Sequence, residues 1–450
     1  MPCLFFSTAC AVNFETKEPE KICVVNIAKT DTGETSDTYL VTYSDNSTTS
    51  ITIQHGQDGL NGQNLTMEEL EKYCEEKGIS LDEFIEQHVT VEVKINSVSS
   101  AAAHALKSTV NVYTSAGTGS GVIYKMEDEY SYIVTNYHVV YNASTQSIST
   151  NNKIFVYGYE YNFQPIPEDS VANSVNHGAI ECSYIGGALN YDLAVLKAKT
   201  ADILQYQPKA CAVTLASDYV VGDSAIAIGN PSGMGTSVTA GCVSVESEVI
   251  EMTGADNLTT VNLRVMRIDT SVNPGNSGGG LFNINGELIG IVNAKLIDTT
   301  IDNINYALPH DNVTKVVDNL IDYYKAGNYP SSVKKLLINL QYVTDNAHAV
   351  FTETETGTQV KLQSEMLVKT VTENGLGDKM GVKIDDKIVG AYINRNGTTT
   401  EYKFDQSFEA LEFTLIVRAG DIITFKIERA GEYINSNAQT ITDADFTVIE

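Results

Sequence analysis

Short runs of valine, isoleucine, tyrosine and threonine alternate with glycine, asparagine and aspartate turns across residues 103–302. Short strands with frequent turns are typical of antiparallel barrels, whereas βαβ units would need helices between the strands. The pattern changes at residues 311–325, where apolar residues recur at helical spacing, and Gly327 with Pro330 ends this run. The sequence therefore predicts a β-barrel domain over residues 104–328, closed by an amphipathic helix.

Further regions lie on both sides of this domain. Residues 20–62 predict a small β-like unit, and capping-box-like starts with a stop at Gly78 predict a small helical spacer over residues 63–103. Residues 333–432 predict a second β-rich domain, and residues 433–450 a loose polar tail. The expected fold is mainly β.

Length and charge narrow the possible classes of function. At 450 residues the chain is too long for one typical core, so several domains are expected. Its 57 acidic and 29 basic residues give a formal net charge of −28, which repels nucleic-acid phosphates. Seven cysteines without a C-x-x-C pair indicate neither a zinc site nor a dense disulfide framework. We expect no nucleic-acid partner, no metal and no cofactor.

The N-terminal residues have features of an export signal. No apolar run approaches the roughly 20 residues that a membrane helix needs, and residues 1–19 look like a signal remnant without its basic start. Ser7-Thr8-Ala9-Cys10 resembles a bacterial lipobox, whose cysteine is lipidated after cleavage. A lipid anchor at Cys10 and an ordinary terminal cysteine both stay open. The expected location is extracytoplasmic, secreted or at the cell surface.

A glycine-rich turn is the strongest candidate for chemistry. Serine catalysis needs a base beside the hydroxyl, a carboxylate that fixes the base's tautomer, and donors directed at the oxyanion. In Asn273-Pro274-Gly275-Asn276-Ser277-Gly278-Gly279, glycines on both sides allow two backbone amides to point at one spot beside the serine hydroxyl. A plain glycine-rich turn is the alternative.

A histidine and an aspartate supply the other two groups. His138 follows an apolar strand, and Asp192 precedes a strand buried on both faces, where a carboxylate is costly unless a protonated group pairs with it. Taken singly, each is more simply interpreted as a structural residue. Their order along the chain with Ser277 favours a catalytic triad instead.

These residues resemble the trypsin-like clan, and their surroundings narrow the resemblance to HtrA/DegP-like proteases. It covers residues 116–312 and implies a two-barrel trypsin-like (chymotrypsin) fold with a PDZ-like α+β domain behind it. Five blocks in the right order carry it: Gly119-Ser120-Gly121-Val122-Ile123, Thr135-Asn136-Tyr137-His138-Val139-Val140, Asp192-Leu193-Ala194-Val195, Ala227-Ile228-Gly229-Asn230-Pro231 with Val238-Thr239-Ala240-Gly241, and the serine segment.

The resemblance implies a role for each of these residues. Ser277 would be the nucleophile, His138 the general base and then acid, and Asp192 the orienting carboxylate. The oxyanion hole would comprise the Gly275 and Ser277 amides, with Asn276 shaping the turn between them. Digestive trypsins carry at this asparagine an aspartate that pairs with a freshly cut N-terminus, so activation by propeptide cleavage is not expected here. Ordering of flexible loops, such as residues 246–260, is the expected switch.

Substrate contacts are expected along residues 290–295, which would pair with the substrate backbone by strand addition. HtrA-like enzymes favour small aliphatic residues before the cut, and this neighbourhood lacks an aspartate that would bind a basic residue. Lys295 departs from the family pattern, because a cation near the pocket could admit an acidic side chain. The expected substrate-binding residues are Ser271, Val272, Asn293, Ala294 and Lys295.

Residues 366–388 and 418–429 resemble a bacterial PDZ domain, which would add an extended peptide, often a C-terminus, to a sheet edge. Its carboxylate-binding loop should fall near Ile338-Asn339-Leu340, but the usual glycine is absent, and an insertion at residues 352–358 blurs the alignment. A degenerate PDZ domain that only docks on the protease is the alternative.

The leading hypothesis is an extracytoplasmic serine endopeptidase that cleaves unfolded or exposed polypeptides. The alternative is a peptide-binding, chaperone-like protein on the same fold with weak or no proteolysis. A surface adhesin role, based on the N-terminal strands and the acidic charge, is a third hypothesis. The resemblance also raises a homotrimer held by the N-terminal helices as a hypothesis that the sequence leaves open.

Overall fold

The computed structural model describes residues 24–32, 36–43, 48–54, 90–92, 97–149, 152–156, 179–233, 235–294, 304–354 and 357–449. The chain divides into two units, residues 1–95 and 96–450. The helices predicted between residues 63 and 89, the lipobox-like segment and Lys295 lie outside the described residues.

The first unit contains an antiparallel sheet in the order β1-β2-β3-β4. Three of its strands fall within residues 20–62, where the sequence predicts a small β unit. Its strands are β1 (Val24–Thr32), β2 (Ser36–Tyr43), β3 (Thr48–Gln54) and β4 (Thr90–Glu92).

The second unit opens with a short helix and a closed barrel in the order β10-β11-β12-β7-β6-β5. The helix, α1 (Val98–Ala105), begins at Ser97, whose hydroxyl accepts a hydrogen bond from the Ser100 backbone N–H. Fully buried aliphatic residues such as Val112, Ile133 and Leu196 fill the barrel. Its elements are β5 (Thr109–Tyr113), β6 (Thr118–Met126), β7 (Tyr130–Thr135), α2 (Tyr137–Val140), the small pair β8 (Tyr141–Asn142) and β9 (Ser147–Ile148), β10 (Asn152–Val156), β11 (Ile180–Ala188), β12 (Leu193–Lys199) and α3 (Thr200–Tyr206).

A second closed barrel follows in the order β13-β14-β15-β18-β17-β16. The predicted amphipathic helix is α4 (His310–Lys325), which buries its aliphatic face against β11 and β12 of the first barrel and β17 of the second. Its strands are β13 (Ser224–Gly229), β14 (Ser237–Thr253), β15 (Thr260–Ile268), β16 (Gly280–Phe282), β17 (Leu288–Val292) and β18 (Asn305–Pro309). This two-barrel, mainly β architecture confirms the fold class predicted for the central domain.

The β14–β15 hairpin differs from the flexible loop predicted for residues 246–260. Residues 246–253 continue β14 and pair with β15 from Thr260 onward, leaving a turn at residues 254–259. The Asp256 carboxylate accepts hydrogen bonds from the backbone N–H groups of Leu258 and Thr259, which fix this turn. The polar composition concealed a strand that has one solvent-facing side.

The C-terminal region is β-rich and compatible with a PDZ-like domain. A seven-stranded sheet has the path β20-β21-β22-β24-β25, with β23 paired to β22 and β26 to β24. Phe413, Phe425 and Met366 lie in its core. Its elements are β19 (Val333–Leu336), β20 (Leu340–Thr354), β21 (Gly357–Val371), α5 (Leu376–Lys379), β22 (Lys387–Arg395), β23 (Thr398–Lys403), α6 (Ser407–Ile416), β24 (Ile422–Arg429), β25 (Glu432–Asn435), β26 (Gln439–Thr440) and β27 (Phe446–Ile449).

The prediction of a loose tail at residues 433–450 was wrong. Strand β27, near the end of the chain, pairs with β19. Strand β19 is the first strand after helix α4 and the linker that follows it. The Leu337 N–H donates to the Asp445 carbonyl (2.8 Å), and Ile441 is 1% exposed in the core. Strands of four residues carry little periodic signal, so only their distant partners reveal them.

Helix α6 docks the C-terminal domain on the second barrel and on α4. The guanidinium of Arg264 on β15 bonds both Glu412 of α6 and Asp311 of α4, and it lies 3.6 Å from the ring centroid of Phe408. Lys315 of α4 bonds the second oxygen of Glu412 at 2.5 Å.

Across the described part of the chain, every helix is too short or too polar to span a lipid bilayer.

Candidate active site

His138 and Asp192 are brought together by the ends of β7 and β11. Asp192 follows a single turn at Leu189–Tyr191 and has φ +49°, a left-handed conformation that is uncommon for a residue with a side chain. Its carbonyl oxygen accepts hydrogen bonds from the Tyr137 N–H (3.1 Å) and from Asn136 Nδ2 (3.0 Å). These contacts fix the turn that directs the aspartate towards helix α2.

The Asp192 carboxylate, 4% exposed, holds the histidine at two points. Its Oδ1 accepts from the His138 backbone N–H (3.0 Å), and its Oδ2 lies 2.7 Å from His138 Nδ1. Because an ionised carboxylate only accepts, Nδ1 carries the proton and Nε2 keeps its lone pair.

The serine turn is fixed by backbone conformations that suit glycine. Gly275 has φ +102°, and a Cβ at this position would lie 2.2 Å from the Asn230 carbonyl oxygen. The Ser120 hydroxyl donates to the Gly275 carbonyl (2.8 Å), and the Ser120 N–H donates to the Ser277 carbonyl (2.8 Å). Ser277 is thereby held, 5% exposed, between the two barrels.

Residues 293 and 294 connect the serine with the aspartate. The Ala294 N–H donates to Ser277 Oγ (3.2 Å), and Asn293 Nδ2 donates to Asp192 Oδ2 (2.8 Å). The sequence suggests only substrate contacts for both residues. The structure places the Asn293 side chain on the aspartate instead.

The other predicted substrate residues lie nearby or outside the described part of the chain. Val272 and Ala294 belong to the buried apolar cluster of the second barrel. Ser271 is exposed, and its carbonyl accepts from Thr239 Oγ1 (2.7 Å). Lys295 is not among the described residues, so its predicted effect on the pocket stays a prediction.

Asn276 lies under the serine turn and is 3% exposed. Among the described residues, no donor bonds its Oδ1. A buried carboxylate here would need a cationic partner. The neutral amide is therefore compatible with a turn that is formed without the N-terminal ion pair.

Sequence analysis missed Ser120 as a residue of the site. Besides its two contacts to the serine turn, its hydroxyl accepts from the Asn230 N–H (2.8 Å), and its carbonyl accepts from Thr135 Oγ1 (2.7 Å). It therefore connects its own motif block with three of the other four. The sequence signal that could have identified Ser120 was its position in the first motif block.

In the described parts of the chain, no group of three or more His, Cys, Asp or Glu side chains is arranged to hold a metal ion.

Two six-stranded barrels with this histidine, aspartate and serine between them define the class of trypsin-like peptidases. Residues 119–291 match the family model described as "Trypsin-like peptidase domain". The curated relatives narrow the resemblance further, because they are named as HtrA-like serine proteases, the family that the motif blocks resemble.

Among the curated relatives, "Serine protease Do-like HtrA" of Bacillus subtilis (strain 168) is 28% identical over 321 residues, covering 71% of this chain and 62% of the relative. "Serine protease HtrA-like" of Staphylococcus aureus (strain NCTC 8325 / PS 47) is 32% identical over 280 residues, covering 60% of this chain and 31% of the relative. The chain therefore spans less than two thirds of the length of each.

Solved structures include the serine endoprotease from Yersinia pestis, with 26% sequence identity and a TM-score of 0.42. Another is the HtrA-type protease AlgW with tripeptide, with 21% identity and a TM-score of 0.47. Each alignment covers 77% of this chain and 97% of the other chain.

Proposed function

We propose that the chain is a serine endopeptidase that hydrolyses unfolded or exposed polypeptides through an acyl-enzyme. The observation that carries this proposal is the His138 Nδ1 to Asp192 Oδ2 hydrogen bond of 2.7 Å, in the same domain as Ser277 in its left-handed glycine turn. Nδ1 is committed to the carboxylate, so Nε2 is the nitrogen that can take a proton.

In the proposed reaction Ser277 Oγ attacks the scissile carbonyl carbon, and His138 Nε2 takes the hydroxyl proton. The Gly275 and Ser277 N–H groups would stabilise the oxyanion, with Asn276 shaping the turn between them. His138 then protonates the leaving amine, and the peptide C–N bond breaks. Water, deprotonated by His138, attacks the acyl-enzyme and releases the acid product and the free serine. Asp192 orients the imidazole and balances its positive charge throughout.

The substrate segment would lie along residues 290–294, beside Ser271 and Val272. The Ala294 N–H bonds Ser277 Oγ, so a substrate paired with this segment would lie beside the hydroxyl. The apolar side chains of Val272 and Ala294 favour a small aliphatic residue before the cut. Lys295 would add a preference for an acidic side chain.

We further propose a peptidase domain over residues 104–328 and a PDZ-like domain over residues 333–432 that binds peptide C-termini. Asn339 has φ +60°, so it supplies the left-handed backbone that glycine would provide in the carboxylate-binding loop. Strand β20 is at the edge of its sheet, which suits strand addition. An extracytoplasmic location, a lipid anchor at Cys10 and a homotrimer belong to the same proposal, supported by the sequence of the N-terminus and the HtrA resemblance.

Labelling with an active-site fluorophosphonate, followed by mass spectrometry of cut casein, tests the activity. We expect the full chain to be labelled on Ser277 and to release peptides, and S277A to lose both properties. S183A removes a serine on the exposed face of β11 and should keep both. A folded wild-type chain that is neither labelled nor proteolytic would contradict the proposal.

A further inference from the structure

The hairpin of β20 and β21 extends beyond the sheet to which it belongs. Both strands have 15 residues, but β22 pairs with β21 only at Met366 and Leu367. Residues 348–354 and 357–363 therefore form a two-stranded arm beyond β22. The arm lies where the insertion at residues 352–358 departs from the PDZ pattern. Because a two-stranded ribbon is only marginally stable alone in water, the arm needs further contacts.

The rest of the protein supplies such contacts along the β21 edge. The Leu362 N–H donates to the Glu246 carboxylate of β14 (2.8 Å). The Ser364 N–H, at the base of the arm, donates to the Asp405 carbonyl (3.0 Å). The β21 edge is thereby anchored, whereas β20 is the last strand of its sheet and pairs only with β21 among the described strands.

The same bonds establish which backbone groups of β20 face outward. The Leu362 N–H points away from β20, so its pair with Ala349 is a non-hydrogen-bonded pair of the antiparallel ladder. Such pairs alternate with hydrogen-bonded ones. Ala349, Phe351 and Glu353 therefore direct their backbone N–H and C=O groups away from β21, where an added strand would bond them.

The side chains on one face of the arm are apolar and open to solvent. Ala349 lies opposite Leu362 and Phe351 opposite Val360, so these four side chains share a face. Phe351 is 71% exposed and Leu362 is 39% exposed. A strand added to β20 would place alternate side chains on this face, so apolar residues at every second position would cover it.

Charge and chain direction indicate the kind of partner. Lys361 is paired with Asp218, whereas β20 carries Asp345 and Glu353, so basic residues on the partner would be favoured. The formal charge of −28 disfavours a second copy of the chain. A peptide whose C-terminus is bound near Asn339 and which runs antiparallel to β20 would reach the arm roughly ten residues before its end.

We propose that the β20 edge and the apolar face of this arm form a second recognition site, for extended polypeptide segments with apolar residues at alternate positions and basic residues between them. The site rests on the proposed endopeptidase function, and it differs from the PDZ-like site because it requires no C-terminal carboxylate. Folded proteins bury segments of this kind in their own sheets, so the site selects unfolded polypeptides.

Peptide binding to the full chain carrying S277A, which removes the nucleophile, tests the site. The probe is a fluorescein-labelled peptide of about 15 residues, the length of β20. It alternates valine with lysine and is amidated at its C-terminus, and a scrambled peptide of the same composition is its control. Fluorescence anisotropy gives both Kd values.

Two variants of the arm test its two contacts separately. F351T removes the exposed ring and keeps a residue that favours strands. A349P removes an outward N–H without breaking a bond to β21, which is where an edge strand tolerates proline. Y433T is the matched control, because Tyr433 is an aromatic residue of the same sheet that is 68% exposed, on β25 at the opposite end.

We expect the alternating peptide to bind at least about ten-fold more tightly than the scrambled one, because only the former covers the apolar face while it pairs with the edge. F351T and A349P should each raise its Kd by roughly ten-fold, and Y433T should change it by less than about two-fold. Urea unfolding checks that each variant is folded, and F351T decides if A349P is not.

Three results would overturn the inference. The first is equal affinity for the two peptides, and the second is unchanged affinity in either folded arm variant. The third is a different oligomeric state of F351T in light scattering, which would assign the apolar face to a second copy. Since binding needs no turnover, an inactive wild-type chain would contradict the proposed function and leave the measurement of this site intact.

Discussion

Gly275 occupies a backbone conformation and a space that both exclude a side chain. Its φ of +102° is outside the range that L-residues favour, and a Cβ would meet the Asn230 carbonyl at 2.2 Å. Since the conflicting atoms belong to the backbone of Asn230 and Ser232, a side chain here must displace the turn that carries Ser277.

G275A should therefore lower kcat by about 100-fold or more, because its N–H would no longer point at the oxyanion. Cleavage of a fluorogenic peptide measures this loss. G222A is the matched control, since Gly222 has φ +91° but open space around its Cβ position. It should cost roughly 1 kcal/mol of stability and leave kcat unchanged. Equal effects of the two substitutions on kcat would contradict the argument.

The buried guanidinium of Arg264 bonds both Glu412 of helix α6 and Asp311 of helix α4. Burial alone would raise the pKa of Asp311, but the Arg264 guanidinium, together with Lys315, lowers it to about 2. An aspartate with a depressed folded-state pKa stabilises the native state above its unfolded value of 3.8. This contribution is lost as the pH falls from about 4 through 2.

Replacing this arginine should detach the C-terminal domain from the barrels. R264L leaves Asp311 and Glu412 without the guanidinium and should cost about 3–5 kcal/mol. R267L is the control on the same strand, because Arg267 is 34% exposed in its pair with Glu248 and should cost below about 1 kcal/mol. Urea unfolding at pH 7 measures both. Similar costs for the two variants would show that Arg264 does not determine the docking.

At the scale of the whole molecule, the C-terminal strands pair with elements near the start of the C-terminal domain. Strand β27 pairs with β19, and the Asn437 N–H donates to the Met380 carbonyl (2.8 Å). The last residues are therefore part of the domain that begins at residue 333.

Ending the chain after Ala438 removes β26, β27 and the buried Ile441. The buried side chain alone should contribute about 2–5 kcal/mol, so the C-terminal domain should unfold at lower urea than the barrels. V448T is the control, since Val448 is 54% exposed on β27 and its replacement should change stability by less than about 0.5 kcal/mol. Hydrogen exchange resolves the two domains. Unchanged protection of the truncated C-terminal domain would contradict the prediction.

The sequence by itself predicted an antiparallel barrel domain, the amphipathic helix before Gly327 and the candidate triad, and the resemblance of its motif blocks implied the two-barrel fold. Strand alternation and helical spacing are local properties, and the glycine turn around Ser277 constrains its own backbone. For the same reason His138 and Asp192 could be selected from their places at strand ends and their order along the chain.

Only the tertiary structure decided which distant groups meet. The contact of Asn293 with Asp192 spans 101 positions, and that of Arg264 with Glu412 spans 148. The pairing of β27 with β19 is likewise between strands that are only four residues long and far apart in the chain. No local pattern encodes such partners, because a buried polar side chain is satisfied by whatever donor the folded chain brings to it.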